Sequence, residues 1–430
     1  MKMTSNTEKS NQTEKNSFVQ KLVKFLLSFG PGIFAIGYTI GTGSVTSMIV
    51  AGNSFGMNLL WVLFFSCVFS GVLIFVSGSY YVSTGETALF AIRKHLPWGK
   101  YLAIAILVAV GIGQWNSLIG ILGITSNVVF EILVINFPNL AGQKYLVVLG
   151  LAILIIGIFY LLLIKGSYTM FEKVLALFVS LMGLSFIFTL LFVFPQPTEI
   201  IKGLVPKIPK VEGAGILIAA FVGTTMASAT FLSRPLFIQG KGWTKSDFKV
   251  QKNDSIIAAL LIFTISGAIM AVASASLYGT GKEITHVLDM SDALEPSVGK
   301  FAVSIFFAGT LSAGLSSIFP CLMIVPLMLG DFNSGKLDVE SGRFKLITGV
   351  ASVLALSVPV FGFNPIQGQI FTQVFNVFAL PLVVFSFLVL WNRKNAGLPP
   401  NRLITNIVMV AAFIFSLIIL WNGLADILGW

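Results

Sequence analysis

The chain has 430 residues, with 27 Lys and Arg against 17 Asp and Glu, 2 His and 2 Cys. Hydrophobic residues make up 56% and charged ones only 10%, where a soluble domain carries roughly 25% charge. Too few polar side chains remain to coat a water-soluble surface, so the composition specifies an integral membrane protein.

Several classes are excluded at once. Cys67 and Cys321 both sit in apolar runs, against a disulfide-built secreted domain. His95 and His286 lie far apart in polar stretches, against a His/Cys metal cage. The net charge of +10 does not imply nucleic acid. The basic residues cluster in short loops between apolar runs, as membrane orientation requires. No enzyme and no cofactor are expected, because no nucleophile–base pair or carboxylate dyad sits in any apolar run.

Residues 1–16 are polar and are expected to form a disordered cytoplasmic tail, not a signal peptide. Residues 17–430 read as a single transmembrane transport domain. A helical span needs roughly 20 apolar residues. Eleven runs qualify: 22–52, 58–83, 101–134, 145–164, 171–194, 213–240, 253–278, 300–328, 343–361, 366–391 and 402–424. They are continuously apolar, without the alternation of membrane strands, so the fold class is all-α.

Two runs look interrupted. The first carries Gly41-Thr42-Gly43-Ser44, where two glycines weaken the helix. The sixth carries Gly223-Thr224-Thr225-Met226-Ala227-Ser228, rich in hydroxyls that satisfy freed backbone groups. The two lie five spans apart and share a short echo, Ile40-Gly41-Thr42 and Val222-Gly223-Thr224. Interrupted segments at matching positions point to a transporter site built from repeats. A plainer reading is close helix packing through small residues.

At this stage the residues resemble a family. Gly30-Pro31-Gly32, Leu60-Trp61-Val62-Leu63, Thr84-Gly85-Glu86, Phe171-Glu172-Lys173, Gly203-Leu204-Val205-Pro206, Leu294-Glu295-Pro296 and Leu380-Pro381 resemble, in order and spacing, the natural resistance-associated macrophage protein (NRAMP) family of divalent metal transporters. The resemblance implies a LeuT-type fold of two inverted five-helix repeats, about 22–194 and 213–391, plus an extra helix at about 402–424. It also implies alternating access.

The family's chemistry does not carry over. Its first break reads Asp-Pro-Gly-Asn, with Asp and Asn as metal ligands; here Gly41 and Ser44 stand in those places. Its sixth helix reads Met-Pro-His; here it reads Ala227-Ser228-Ala229. Its third helix carries an Asp and a Glu on the proton route; here Gln114 and Ser117 stand there. Every acidic residue falls in a tail, a loop or near a span end. A midplane divalent cation normally needs carboxylate or soft ligands, and proton coupling needs a group that titrates in the working range.

What remains is a neutral site. Its expected substrate-binding residues are Gly41, Thr42, Gly43, Ser44, Gly223, Thr224, Ala227, Ser228 and Gln373, with Ser44 and Gln373 as metal ligands. Gln114, Ser117, Arg234 and Asn376 are pathway candidates, Arg234 alternatively snorkelling at the span end. Three functions stay open. One is a divalent-metal carrier for an ion that keeps part of its water shell, such as Mg²⁺, without proton coupling or Mn²⁺/Fe²⁺ selectivity. Another is a carrier of a small neutral, zwitterionic or anionic solute such as an amino acid. The last is a non-transporting membrane sensor. The partners are therefore a small solute or metal ion and the lipid bilayer.

Of the 27 basic residues, 21 fall on the side of the N-terminus. The N-terminus is expected to be cytoplasmic and the C-terminus external, in the plasma (inner) membrane. A topology reporter fused after Trp430 is therefore expected to be active only outside the cytoplasm.

Overall fold

The computed structural model describes residues 30–429, except 167, 210–212, 282–283, 285–286, 362–364, 395–396 and 400–401. The expected tail at 1–16 and the first part of the opening run lie outside the described residues. No strand occurs among the described residues.

The element order repeats. In the first half a broken pair, α1 (Gly32–Thr39) and α2 (Thr42–Phe55), is followed by α3 (Leu60–Thr84) and a short α4 (Ala88–His95). The long α5 (Gly99–Asn136), α6 (Lys144–Lys165) and α7 (Tyr168–Leu190) complete it. A surface turn, α8 (Pro197–Gly203), leads to the second half. There a second pair, α9 (Ala214–Thr225) and α10 (Ser228–Lys241), precedes α11 (Phe248–Leu277) and α12 (Val287–Ser334). Then come α13 (Gly342–Ala355), α14 (Ser357–Phe361) and α15 (Pro365–Trp391), with α16 (Leu403–Leu428) appended.

Nine described helical stretches are long and apolar enough to cross a membrane, and α1 with α2 makes a tenth, bent by 52°. The run at 343–361 forms two helices, α13 and α14, with Leu356 between them. Pro359 has no N–H to donate to the Ala355 carbonyl, so the ladder stops there.

Both expected breaks are present and each is two residues wide. Ile40 (φ −101°, ψ 70°) and Gly41 (φ −99°, ψ −170°) separate α1 from α2. Met226 (φ −109°, ψ 42°) and Ala227 (φ −62°, ψ 114°) separate α9 from α10. The sequence suggests wider openings, but Thr42–Ser44 and Gly223–Thr225 are helical. Hydroxyls carry the freed carbonyls: Ser317 Oγ donates to Gly37 O at 2.8 Å, and Ser70 Oγ donates to Thr225 O. Satisfying backbone inside the bundle is what permits a break at membrane depth.

Around the breaks, α12 packs along α5 and α7, α15 along α5 and α9, and α11 along α2 and α3. The sixth span is almost wholly enclosed, whereas α6 and α16 present much of their length outward.

Distant carboxylates fix three helix starts. Asp254 of α11 accepts from Gly30 N and Gly32 N, both at 2.9 Å, at the head of α1. Asp331 of α12 accepts from Leu89 N at 2.9 Å and Phe90 N at 3.2 Å at the head of α4. Asp426 of α16 accepts from Gly215 N at 2.7 Å and Ile216 N at 3.1 Å at the head of α9. Each negative charge sits where the helix dipole and unpaired N–H groups favour it. Asp254 and Asp331 are fully buried, although their sequence positions suggest span ends open to water.

Arg234 does not snorkel. It is 1% exposed, and its NH2 donates to Asp254 Oδ2 at 2.5 Å. The reason is local: α10 turns this residue inward against α11, where an acid is waiting. Removing one member of a buried pair leaves an uncompensated charge and costs roughly 3–5 kcal/mol, whereas an apolar pair of similar volume costs far less. Asp254→Ala is expected to lower the melting temperature of the detergent-purified protein sharply. The double variant Arg234→Met with Asp254→Leu should regain much of that loss, the remainder reflecting the bare head of α1.

Candidate substrate site

A polar cavity of about 20 Å³ lies where the two breaks face each other. That is room for about one water molecule. Tyr38, Thr39, Gly41, Gly43 and Ser44 line it from the first break, Thr224 and Ala227 from the second. Ser117 and Ile121 of α5, Cys321 of α12, and Gln369, Gln373 and Asn376 of α15 close it. Among the described residues no Asp, Glu, Lys, Arg or His lines this cavity. Among the described residues no group of three or more His, Cys, Asp or Glu could hold a metal ion.

The expected residues divide into three sets. Gly41, Gly43, Ser44, Ser117, Thr224, Ala227, Gln373 and Asn376 line the cavity. Thr42, Gly223, Ser228 and Gln114 are buried just behind its wall. Arg234 is placed elsewhere, in the ion pair with Asp254.

The amides form a chain. Cys321 Sγ approaches Gln114 Oε1 at 3.8 Å, and Gln114 Nε2 donates to Asn376 Oδ1 at 3.2 Å. Asn376 Nδ2 donates to Gln373 Oε1 at 2.8 Å, and Gln373 Nε2 donates to Ser117 Oγ at 3.3 Å. The Gln373 oxygen thus accepts one hydrogen bond, from Asn376, and keeps a second lone pair.

Gln369, one turn earlier, has both Oε1 and Nε2 buried without a partner. Ser44 Oγ is likewise buried and unpaired. Leaving such groups unsatisfied costs about 1–3 kcal/mol each, so they are the atoms with most to gain from a ligand. Sequence reasoning missed Gln369. Its signal was the spacing of Gln369, Gln373 and Asn376 at i, i+4 and i+7, one polar stripe on an otherwise apolar helix.

The breaks also present backbone. The N-caps of α2 and α10 are Gly41 and Ala227, and neither provides a side-chain cap. Two uncapped helix N-termini thus meet the cavity, unlike the three elsewhere that carry carboxylates.

Glycines make the wall. A Cβ on Gly43 would meet Gln373 Nε2 at 2.4 Å and Gln369 Nε2 at 2.6 Å. One on Gly41 would meet Ser317 Oγ at 2.3 Å. One on Gly223 would meet the Gln373 backbone oxygen at 2.1 Å.

Two repeated helical halves, each led by a broken helix, with a polar cavity at the facing breaks, define a multi-pass membrane transporter of LeuT-type fold. Residues 32–426 match the natural resistance-associated macrophage protein-like family, and the chain belongs to that family. It is 24% identical over 425 residues to the divalent metal cation transporter MntH of Caldanaerobacter subterraneus subsp. tengcongensis, covering 95% of each chain. A manganese transporter of Eremococcus coleocola, solved with an aromatic bis-isothiourea compound, superimposes with a TM-score of 0.71 at 16% identity. That match covers 96% of this chain and 89% of the other. MhsT bound to L-phenylalanine superimposes with a TM-score of 0.61 at 16% identity, covering 93% and 98%. At such identities the structural likeness concerns the fold.

The glycine contacts separate folding from binding. Gly223→Ala meets rigid backbone and is expected to abolish folded yield. Gly43→Ala meets the ends of two flexible amides. It should fold, by size-exclusion profile, and lose substrate binding.

Proposed function

We propose that this protein is an alternating-access carrier of NRAMP type that moves a divalent cation without proton exchange and without preference for Mn²⁺ or Fe²⁺. Family membership supports the cargo class. The single observation that carries the rest is the uncharged lining of the cavity at the two breaks.

The physical argument runs from charge. A carboxylate offsets part of the cost of stripping water from a divalent ion, and a thioether adds preference for softer metals. Neither lines the cavity. The side-chain oxygens without a partner are Ser44 Oγ and Gln369 Oε1, beside the hydroxyl and amide oxygens of the other lining residues. Hard oxygen donors suit a cation such as Mg²⁺, which gives up its water reluctantly. A space of about 20 Å³ holds the bare ion or one water, so hydration must be exchanged before the site closes.

Tyr38 and Cys321 are the weak acids on the wall. The wall thus offers no carboxylate or imidazole to carry a proton.

A second reading has its own support. The uncapped starts of α2 and α10, together with the free amide of Gln369, offer hydrogen-bond donors to a carboxylate. A small anionic or zwitterionic solute would use them, entering when the halves open.

Purified protein in liposomes distinguishes these readings. Flux of Mg²⁺ with little Mn²⁺ flux and no internal acidification is the expected result. Stoichiometric acidification would overturn the uncoupled mechanism, and amino acid flux without metal flux would favour the second reading. Restoring the family's ligands is the complementary test. Gly41→Asp alone would collide with Ser317, so the variant combines Gly41→Asp, Ser44→Asn and Ala227→Met with Ser317→Gly. It is expected to bind Mn²⁺ at least tenfold more tightly than the parent by calorimetry.

A further inference from the structure

Away from the central cavity, the ends of α4 and α15 enclose a groove of about 500 Å³. Its walls are Leu96, Leu388, Val389 and Leu390, and its polar rim is His95, Asn392 and Arg393. Just beyond, Trp98 is 81% exposed and Tyr101 67% exposed at the start of α5. Large aromatics exposed at a helix end mark the membrane–water boundary, so the groove opens at headgroup depth, with its apolar wall on the hydrocarbon side.

The charge at this rim is unbalanced. Glu86 is the carboxylate that joins the cluster. Lys94 Nζ reaches Glu86 Oε1 at 2.8 Å, and His95 Nε2 lies 2.7 Å from Glu86 Oε2. Burial pushes the Glu86 carboxyl up, but the hydrogen bonds from Lys94 and His95 outweigh it and hold it below the usual carboxylate range. Glu86 is thus ionised at neutral pH and is claimed by these two neighbours.

Arg393 is left loosely held. Its NH1 is 3.4 Å from both Tyr80 Oη and Glu86 Oε2, longer than the usual 2.7–2.9 Å of a charge-assisted bond. Its side chain is 39% exposed at the mouth of the groove. It is not needed to finish α15 either. Asn392 Nδ2 takes the Leu388 carbonyl, and Arg402 takes that of Trp391.

We propose that this groove binds an anionic phospholipid, its phosphate on Arg393 with the second ring nitrogen of His95 beside it, and the upper part of an acyl chain along Leu388 and Val389. Basic pockets between spans at the headgroup level are sites for acidic lipids, and Arg presents a planar fork suited to phosphate. A guanidinium that merely snorkels would accept any headgroup. One with a shaped apolar wall beside it discriminates by charge while holding the chain.

The test uses the full-length protein in detergent with phosphatidylglycerol, phosphatidylcholine or inorganic phosphate added. Native mass spectrometry should retain phosphatidylglycerol at least fivefold over phosphatidylcholine. The melting temperature should rise with phosphatidylglycerol and not with inorganic phosphate. Arg393→Gln with His95→Gln should abolish the preference. Val389→Trp, which fills the groove and keeps every charge, should abolish retention as well, so the result does not hang on one variant's folding. Equal retention of the two lipids by the parent would overturn the proposal. So would a preference that survives Val389→Trp, or a thermal shift that inorganic phosphate reproduces.

Discussion

The constraint on which this structure depends is the satisfaction of helix ends inside an apolar bundle. Every helix start leaves N–H groups without intrahelical partners, and burying them unpaired is costly. The chain has only 17 acidic residues, and it places three of them, Asp254, Asp331 and Asp426, at the heads of helices far away in sequence. These contacts tie α11 to α1, α12 to α4 and α16 to α9. Since the first half of the chain supplies two of the capped helices and the second half both their carboxylates, the capping also binds the halves together.

The starts of α2 and α10 lie at the two breaks. Their N-caps, Gly41 and Ala227, have no side-chain acceptor, while hydroxyls of Ser317 and Ser70 cover carbonyls at the facing ends. Bare backbone donors and an unpartnered Gln369 converge on one small cavity. Unpaired polar groups gathered around one cavity mark a place where something else can bind, although buried side-chain atoms of Ser66, Ser79, Thr348 and Trp391 are unpaired elsewhere. The same features make the site neutral, and that neutrality separates its expected chemistry from a carboxylate-and-sulfur metal site.

Much of this was legible in the sequence because it rests on counting. Continuous apolar runs fix helices, and matched Gly- and hydroxyl-rich stretches fix the two breaks. The lack of a carboxylate at the site follows from where 17 acids fall. What escaped depends on side-chain direction. Arg234 and Asp254 are 20 residues apart on different helices, and nothing in their spacing announces an ion pair. Gln373 drew notice as a familiar polar position, yet its oxygen already accepts from Asn376. Gln369, equally visible in the sequence, holds the free atoms. The break at Leu356 did have a signal, Pro359, which an apolar count alone passes over.

The neutral site is also held in place by packing. At Gly41, Ser317 fills the volume that a Cβ would need. Gln369 and Gln373 press equally close on Gly43, and Gln369 Oε1 stands 1.9 Å from where a Cβ on Gly120 would lie. Space that a carboxylate would occupy in the first break is taken by side chains from α12 and α15. A single substitution at Gly41 therefore meets a filled cavity, and interiors packed at crystal-like density do not yield such room without loss elsewhere. The glycines of the first break and the side chains packed on them form one arrangement. The chemistry of the site is accordingly a property of three helices together, not of the residue at the break alone.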